Sequence, residues 1–240
     1  MGDTSSGLSR SVEDYLKAIY GISQRGDPAS TSAIAEALEV QPASVTGMIK
    51  RLAEADLLEH VPYRGVRLTR EGSREALRVL RRHRIIETYL CRRLGYTWDD
   101  VHGEAERLEH AVSEQLIERM AAALEFPSHD PHGAPIPTSA GQIEDTDFTT
   151  LLDVLPGHTV RVRAVRDEDG ERLRVMEAHG LTPGTLLRVV ERREVGAEAE
   201  TQEGPQPGGA VAVRVAGAGE VLRMIPVDLA GGVFVVPDDD

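Results

Sequence analysis

Residues 34–52, IAEALEVQPASVTGMIKRL, decide the fold. Ile34, Ala35 and Leu38 recur at helical spacing, and Val45, Ile49 and Leu52 do so again after a break. The break is Val40-Gln41-Pro42. Proline suits the first position of the second helix, where a missing N–H costs nothing. Ser30-Thr31 opens the first helix, and the second runs over 42–55. Short helix, tight turn and second helix make a helix-turn-helix. Away from the apolar face of the second helix stand Gln41, Ala43, Ser44, Thr46, Gly47 and Lys50. Small and polar, they suit a helix that meets base edges and phosphates in the major groove.

The flanks extend this unit. Upstream, SRSVEDYLKAIYGISQ over 9–24 places Val12, Tyr15, Leu16, Ile19 and Tyr20 at helical spacing. Ser9 or Ser11 serves as its cap, with Glu13 and Asp14 as first-turn acids. Downstream, LLEHVPYRGVRLTREG over 57–72 holds two short alternating runs around Tyr63-Arg64-Gly65. That pattern predicts a hairpin and so a winged helix, with Arg64 and Arg67 near the wing.

A long helix follows over 70–93, opened by Thr69-Arg70-Glu71-Gly72 and ended by Gly95. His83 and Glu87 are an i, i+4 pair on it, a metal-compatible spacing that taken alone reads as a plain surface His–Glu contact. Arg81, Arg82 and Arg84 read as a solvated face. The next helix, 99–110, carries Glu106, Glu109 and His110 at i, i+3 and i+4, with His102 one turn before Glu106. Two carboxylates and an imidazole on one face repel unless a cation neutralises them, and this donor set leans to manganese or iron(II) over zinc. A solvated acidic face is the competing reading. A further helix over 113–125 offers more apolar surface than a winged helix needs, which points to a dimer interface.

Residues 127–142, PSHDPHGAPIPTSAGQ, are too proline-rich for regular helix and contain Asp130 and His132 at i, i+2. Past 158 the pattern changes to short strands with turns, interrupted by one helix over 171–179, which predicts a small β-barrel. Residues 196–209 read as a flexible loop inside it. The expected domains are 1–74, 75–142 and 155–238.

Composition adds limits. The 240 residues include 27 Lys and Arg against 40 Asp and Glu, a net charge of −13. Residues 1–82 hold 12 bases and 11 acids, a net of +1, and the other 158 hold 15 and 29, a net of −14. Only the first third suits contact with DNA phosphates. The one cysteine, Cys91, excludes a disulfide framework inside the chain and reads as a small buried hydrophobe. No apolar run reaches the ~20 residues of a membrane span. The N-terminus lacks secretory features, so a cytoplasmic protein is expected.

These segments together resemble the diphtheria toxin repressor family of metal-dependent transcriptional repressors, over nearly the whole chain. The resemblance is carried by VEDYLKAIY, IAEALEVQPASVTGMIKRL, YRGVRLTREG, RRHRIIETYL, VHGEAERLEH and PHGAPIP. It implies a mainly α protein with a small β domain: an N-terminal winged helix-turn-helix, a helical dimerisation domain and a C-terminal SH3-like β-barrel. It also implies a primary metal site of Asp14, Glu106, Glu109 and His110. Iron-sensing members carry methionine and cysteine where this chain has Asp14 and Glu106, so the resemblance favours the manganese branch. Lys17 departs from the short manganese regulators, which have glutamate there. A secondary site is implied at His83, Glu87 and His102, or with Asp130 and His132 of the linker. Asp167, Asp169 and Glu171 are candidate donors from the barrel.

The expected function is a manganese-dependent repressor of metal-uptake genes, not an enzyme. It binds a palindromic double-stranded DNA operator as a homodimer, with Gln41, Ala43, Ser44, Thr46, Lys50 and Arg64 at the DNA. Mn(2+) is the expected cofactor. The alternatives are an Fe(2+)-dependent repressor of the same architecture and a metal-dependent hydrolase.

Overall fold

The computed structural model describes residues 8–24, 26–145, 149–166, 169–193, 209–216 and 221–238. Contacts divide the chain into two compact units. The first comprises residues up to Tyr89, Ala105–Ser128 and Ile136–Glu144. The second comprises Leu90–Glu104, His129–Pro135 and the chain from Asp145 onward.

The first unit opens with α1 (Arg10–Ser23), α2 (Thr31–Ala37) and α3 (Pro42–Glu54). Ser30 caps α2 by accepting from Ala33 N, whereas Ser9 stands at the N-cap of α1 without a side-chain bond. Val12, Tyr15, Leu16 and Ile19 of α1 pack with Ile34, Ala35, Val45, Ile49 and Leu52 in one buried core. The wing is an antiparallel pair of β1 (Leu58–Val61) and β2 (Gly65–Leu68). Val66 also exchanges both backbone hydrogen bonds with Ala29, so the wing is fastened to the α1–α2 connection. Gly65 lies there at φ +120, and a Cβ on it would stand 2.2 Å from Ala29 O. Thr69 then caps α4 (Arg70–Leu94) by accepting from Gly72 N. The division between the units falls inside α4 and again inside α5 (Val101–Leu108). The first unit also contains α6 (Glu114–Ala123), tied to α4 by Arg81–Glu118 and Arg82–Glu114 ion pairs.

The second unit is built on a six-stranded antiparallel sheet of order β3-β8-β4-β5-β6-β7. Its strands are β3 (Thr149–Thr150), β4 (Thr159–Val165), β5 (Leu186–Arg193), β6 (Ala210–Val215), β7 (Leu222–Pro226) and β8 (Val233–Pro237). Bulges interrupt the register at Val162/Ala164 and Val189/Glu191, where a sheet bends. The helix α7 (Gly170–Ala178) and the short α8 (Val227–Ala230) accompany it, and Leu173, Met176 and Leu229 enter the sheet's apolar core. Among the described residues, no helix is long and apolar enough to cross a membrane.

Two expectations change, at Cys91 and Arg82. Cys91 is partly exposed, not buried, because it faces the turn after α4 and its sulfur lies 3.9 Å from Thr97 O. Asp169 is the N-cap of α7, accepting from Glu171 N and Arg172 N. Arg82 is buried rather than solvated. Asp167 and residues 196–208 lie outside the described residues.

Candidate metal centre

Helix α1 has two faces. Val12, Tyr15, Leu16 and Ile19 point into the core shared with α2 and α3, and Glu13, Asp14 and Lys17 lie about half a turn away. The second face meets the segment that ends α5. That helix stops at Leu108, so Glu109 and His110 sit in the turn after it and not in mid-helix. Glu109 N still bonds Ala105 O, which keeps its side chain in helical register.

Asp14, Glu109 and His110 converge, each offering one donor atom within 4.8 Å of the others. His110 Nε2 is 2.8 Å from Asp14 Oδ1 and 3.2 Å from Glu109 Oε1. Yet that nitrogen is buried and makes no hydrogen bond of acceptable angle. A ring nitrogen this close to two carboxylate oxygens, with no hydrogen bond to either, is an arrangement that ligands around a shared cation adopt. A six-coordinate ion held at ~2.1 Å sets neighbouring ligand atoms ~3 Å apart, which matches both separations. The residues therefore fit a hard divalent ion, with two oxygen donors and one imidazole.

Glu106 does not belong to that group. Its side chain is 48% exposed and lies 3.5 Å from Lys17 Nζ. Lys17 reaches deeper with the same ammonium, 2.6 Å from Glu109 Oε1. The other Glu109 oxygen is 2.5 Å from His83 Nδ1, and His83 Nε2 is 3.0 Å from Glu87.

The electrostatics follow from this crowding. Burial works against an ionised Glu109, but the His110 and His83 rings and the Lys17 charge hold it well below the usual carboxylate range. Burial would lower His83, and Glu87 and Glu109 instead raise it to about 9. Burial would likewise lower His110, which Glu109 and Glu13 pull upward. Asp14 is raised, chiefly by burial.

With this geometry in hand, known proteins give a consistent picture. Residues 7–66 match the family model "Iron dependent repressor, N-terminal DNA binding domain". Residues 69–138 match "Iron dependent repressor, metal binding and dimerisation domain", and 149–237 match "FeoA domain". The diphtheria toxin repressor of Corynebacterium efficiens is 31% identical over 194 residues, covering 76% of this chain and 84% of that protein. The chain belongs to the diphtheria toxin repressor family of metal-dependent transcriptional repressors. The regulator MntR of Shouchella clausii is 35% identical over 116 residues, 48% of this chain and 80% of that one. A solved manganese-dependent transcriptional repressor in complex with manganese superposes with a TM-score of 0.81 at 35% identity. That match covers 94% of this chain and 99% of the other. Family membership makes the first unit's helix-turn-helix a DNA-binding element, the sheet domain SH3-like, and the working form a dimer.

The remaining expected site residues fall as follows. Gln41 is the N-cap of α3, and with Ala43, Ser44, Thr46 and Lys50 it is exposed on the face opposite Val45 and Ile49. Thr46 turns its hydroxyl back onto Pro42 O, 3.1 Å away. Arg64 is exposed at the wing but paired with Asp27 at 2.7 Å. His83 and Glu87 belong to the first unit; His102, Asp130 and His132 belong to the second. There Asp130 accepts from His132 N and Ala134 N, and the His132 ring stacks on Trp98 with Nε2 2.7 Å from Trp98 O.

Sequence reasoning took Glu13 only as a first-turn acid and Arg82 only as part of a solvated face, and placed neither at the site. Glu13 Oε2 is 2.6 Å from His110 Nδ1, and Glu13 Oε1 is 2.5 Å from Arg82 Nη2. The one available signal was that an acid at position 13 lies next to the buried stripe of α1, one residue from a candidate ligand.

Proposed function

We propose that this chain is a manganese-responsive repressor of metal-uptake genes. It acts in the cytoplasm as a homodimer on a palindromic operator and performs no catalysis. The observation that carries the reading is His110 Nε2, buried without a hydrogen bond and flanked by Asp14 and Glu109 oxygens. Two oxygens and one imidazole, with no thiolate or thioether in the cluster, suit a hard ion.

Asp14 is the residue that links metal to DNA. It shares α1 with Leu16 and Ile19, which pack against the core under α3. A bound divalent ion supplies the positive charge that lets Asp14, Glu109 and His110 stay together. With Asp14 held to the α5 turn, α1 is held as well, and α3 keeps one position in each protomer. In a dimer, that fixes the spacing of the two recognition helices, which must match half-sites ~34 Å apart or a multiple of it. Coupling can be no larger than the ion's preference for the DNA-competent state. Leu116 and Phe126, exposed on and after α6, supply apolar surface for the dimer.

The test is a titration of metal-free protein with manganese or iron(II) under anaerobic conditions, read by anisotropy on labelled DNA from its own upstream region. Manganese activates binding at concentrations where iron(II) does little. Equal or better activation by iron(II) replaces this reading with an iron-dependent repressor. Hydrolase activity lost in Glu109→Gln overturns the non-enzymatic part.

A further inference from the structure

His110 is gripped on the side away from the proposed ion. Its Nδ1 faces Glu13 Oε2 at 2.6 Å, and the other oxygen of Glu13 meets Arg82 Nη2 at 2.5 Å. Arg82 in turn places Nη1 3.4 Å from Glu114 Oε1 in the first turn of α6. The Glu13 and Arg82 side chains are only 6% and 8% exposed. One path thus runs from the α5 turn through α1 and α4 to α6.

The chemistry of this path has a direction. A carboxylate only accepts, so a neutral His110 beside Glu13 keeps its single proton on Nδ1. Nε2 is then left with its lone pair, pointed at the Asp14–Glu109 side. Ring orientation is fixed by the same bond. A carboxylate buried this deeply needs a compensating charge, and the Arg82 fork supplies it while anchoring the carboxylate to α4.

We propose that Glu13 and Arg82, neither of which donates a ligand atom, set the metal affinity of the centre by holding His110 in its Nδ1-protonated tautomer. The proposal rests on reading Asp14, Glu109 and His110 as the metal centre. Glu13 is the positioning residue and Arg82 positions Glu13. Partners of this kind behind a metal-ligating histidine typically contribute ~10–100-fold to affinity.

The experiment uses the full chain and manganese alone. Calorimetric titration is compared across native protein, Glu13→Gln, the double variant Glu13→Leu/Arg82→Leu, and His110→Ala. The double variant replaces a buried ion pair by apolar side chains, a change that is often neutral or stabilising, so it tests folding and function separately. Glu13→Gln and the double variant are expected to weaken manganese binding ~10–100-fold, the latter with a native melting temperature. Nitrogen-15 correlation spectra of metal-free protein, recorded at a pH where His110 is neutral, are expected to show Nδ1–H in the native chain and a tautomer mixture in the double variant. A double variant with native affinity, or Nε2–H in the native chain, overturns the proposal. His110→Ala separates the two layers. If it keeps native stoichiometry and affinity, the metal-centre reading itself falls; if it loses one ion while the double variant binds normally, only the positioning role falls.

Discussion

Replacing Lys17 by methionine should make the metal-free protein less stable and manganese binding tighter. Lys17 Nζ lies 2.6 Å from Glu109 Oε1, the oxygen that also stands 3.2 Å from His110 Nε2. The ammonium and a divalent ion therefore draw on one oxygen. Without the ion, Lys17 is a main counter-charge to Glu109 and is itself 21% exposed. Removing one partner of a buried pair costs ~3–5 kcal/mol, and this partial exposure argues for the lower end, ~3 kcal/mol. In a chain of this size that lowers the melting temperature by ~6–12 °C. With manganese bound, Glu109 is compensated by the ion, and the loss should shrink to ~1 kcal/mol, as for a surface pair. Closing the cycle leaves ~2 kcal/mol in favour of binding, a ~30-fold lower dissociation constant. Charge points the same way. Lys17 faces Glu106 and Glu109, so the variant sets one positive charge fewer against these carboxylates. Melting curves in chelator and in saturating manganese, with calorimetric titration, measure all three sides of the cycle. Equal destabilisation of both forms, or weaker binding, refutes the competition.

Other perturbations separate stability, metal and DNA. The metal-free chain should lose stability in alkali: His83 is raised from an unfolded value of 6.5 to about 9, so its contribution is complete below 6.5 and disappears as pH rises through 9. The ceiling on that loss is ~3 kcal/mol, seen as a falling melting temperature between pH 7 and 10 in chelator and flattened in His83→Gln. Gly65→Val should release the wing, because a Cβ there meets Ala29 O and the backbone sits at φ +120. Operator affinity should fall while manganese affinity stays within threefold; an unaltered operator affinity would remove the wing from the interface. Gln41→Ala with Ser44→Ala, both exposed on α3, should weaken operator binding by ~1–3 kcal/mol per lost base contact and leave metal binding unchanged. If the loss is equal on operator and on unrelated DNA, these residues touch phosphate and not bases.

What the sequence disclosed depended on how local the cause was. The apolar period of α1, α2 and α3 is written into the chain, because each helix buries a stripe whatever its neighbours are. The wing was equally readable: Gly65 takes the positive φ, and β1 and β2 alternate around the turn. The proposed metal centre was readable only as residue types at a spacing. Glu109 and His110 sit one and two residues past where the helix ends, and periodicity cannot fix that end to better than a few residues. Arg82 is the instructive failure. Within RVLRRHR, its local environment predicts a solvated charge, since four other basic residues stand within four positions of it. What buries it is Glu13, 69 positions away, and Glu114, 32 away. Neither acid is marked by any local pattern, because acids in the first turn of a helix are favoured by the helix dipole alone. Glu13 and Glu114 both occupy that place, so an ordinary helix preference concealed a tertiary role. The same reasoning explains why Lys17 looked like a departure and not a part of the site. A lysine three residues after Asp14 reads as a surface charge until the α5 turn brings Glu109 to it, and only then does its ammonium become a fixed cation inside the carboxylate cluster.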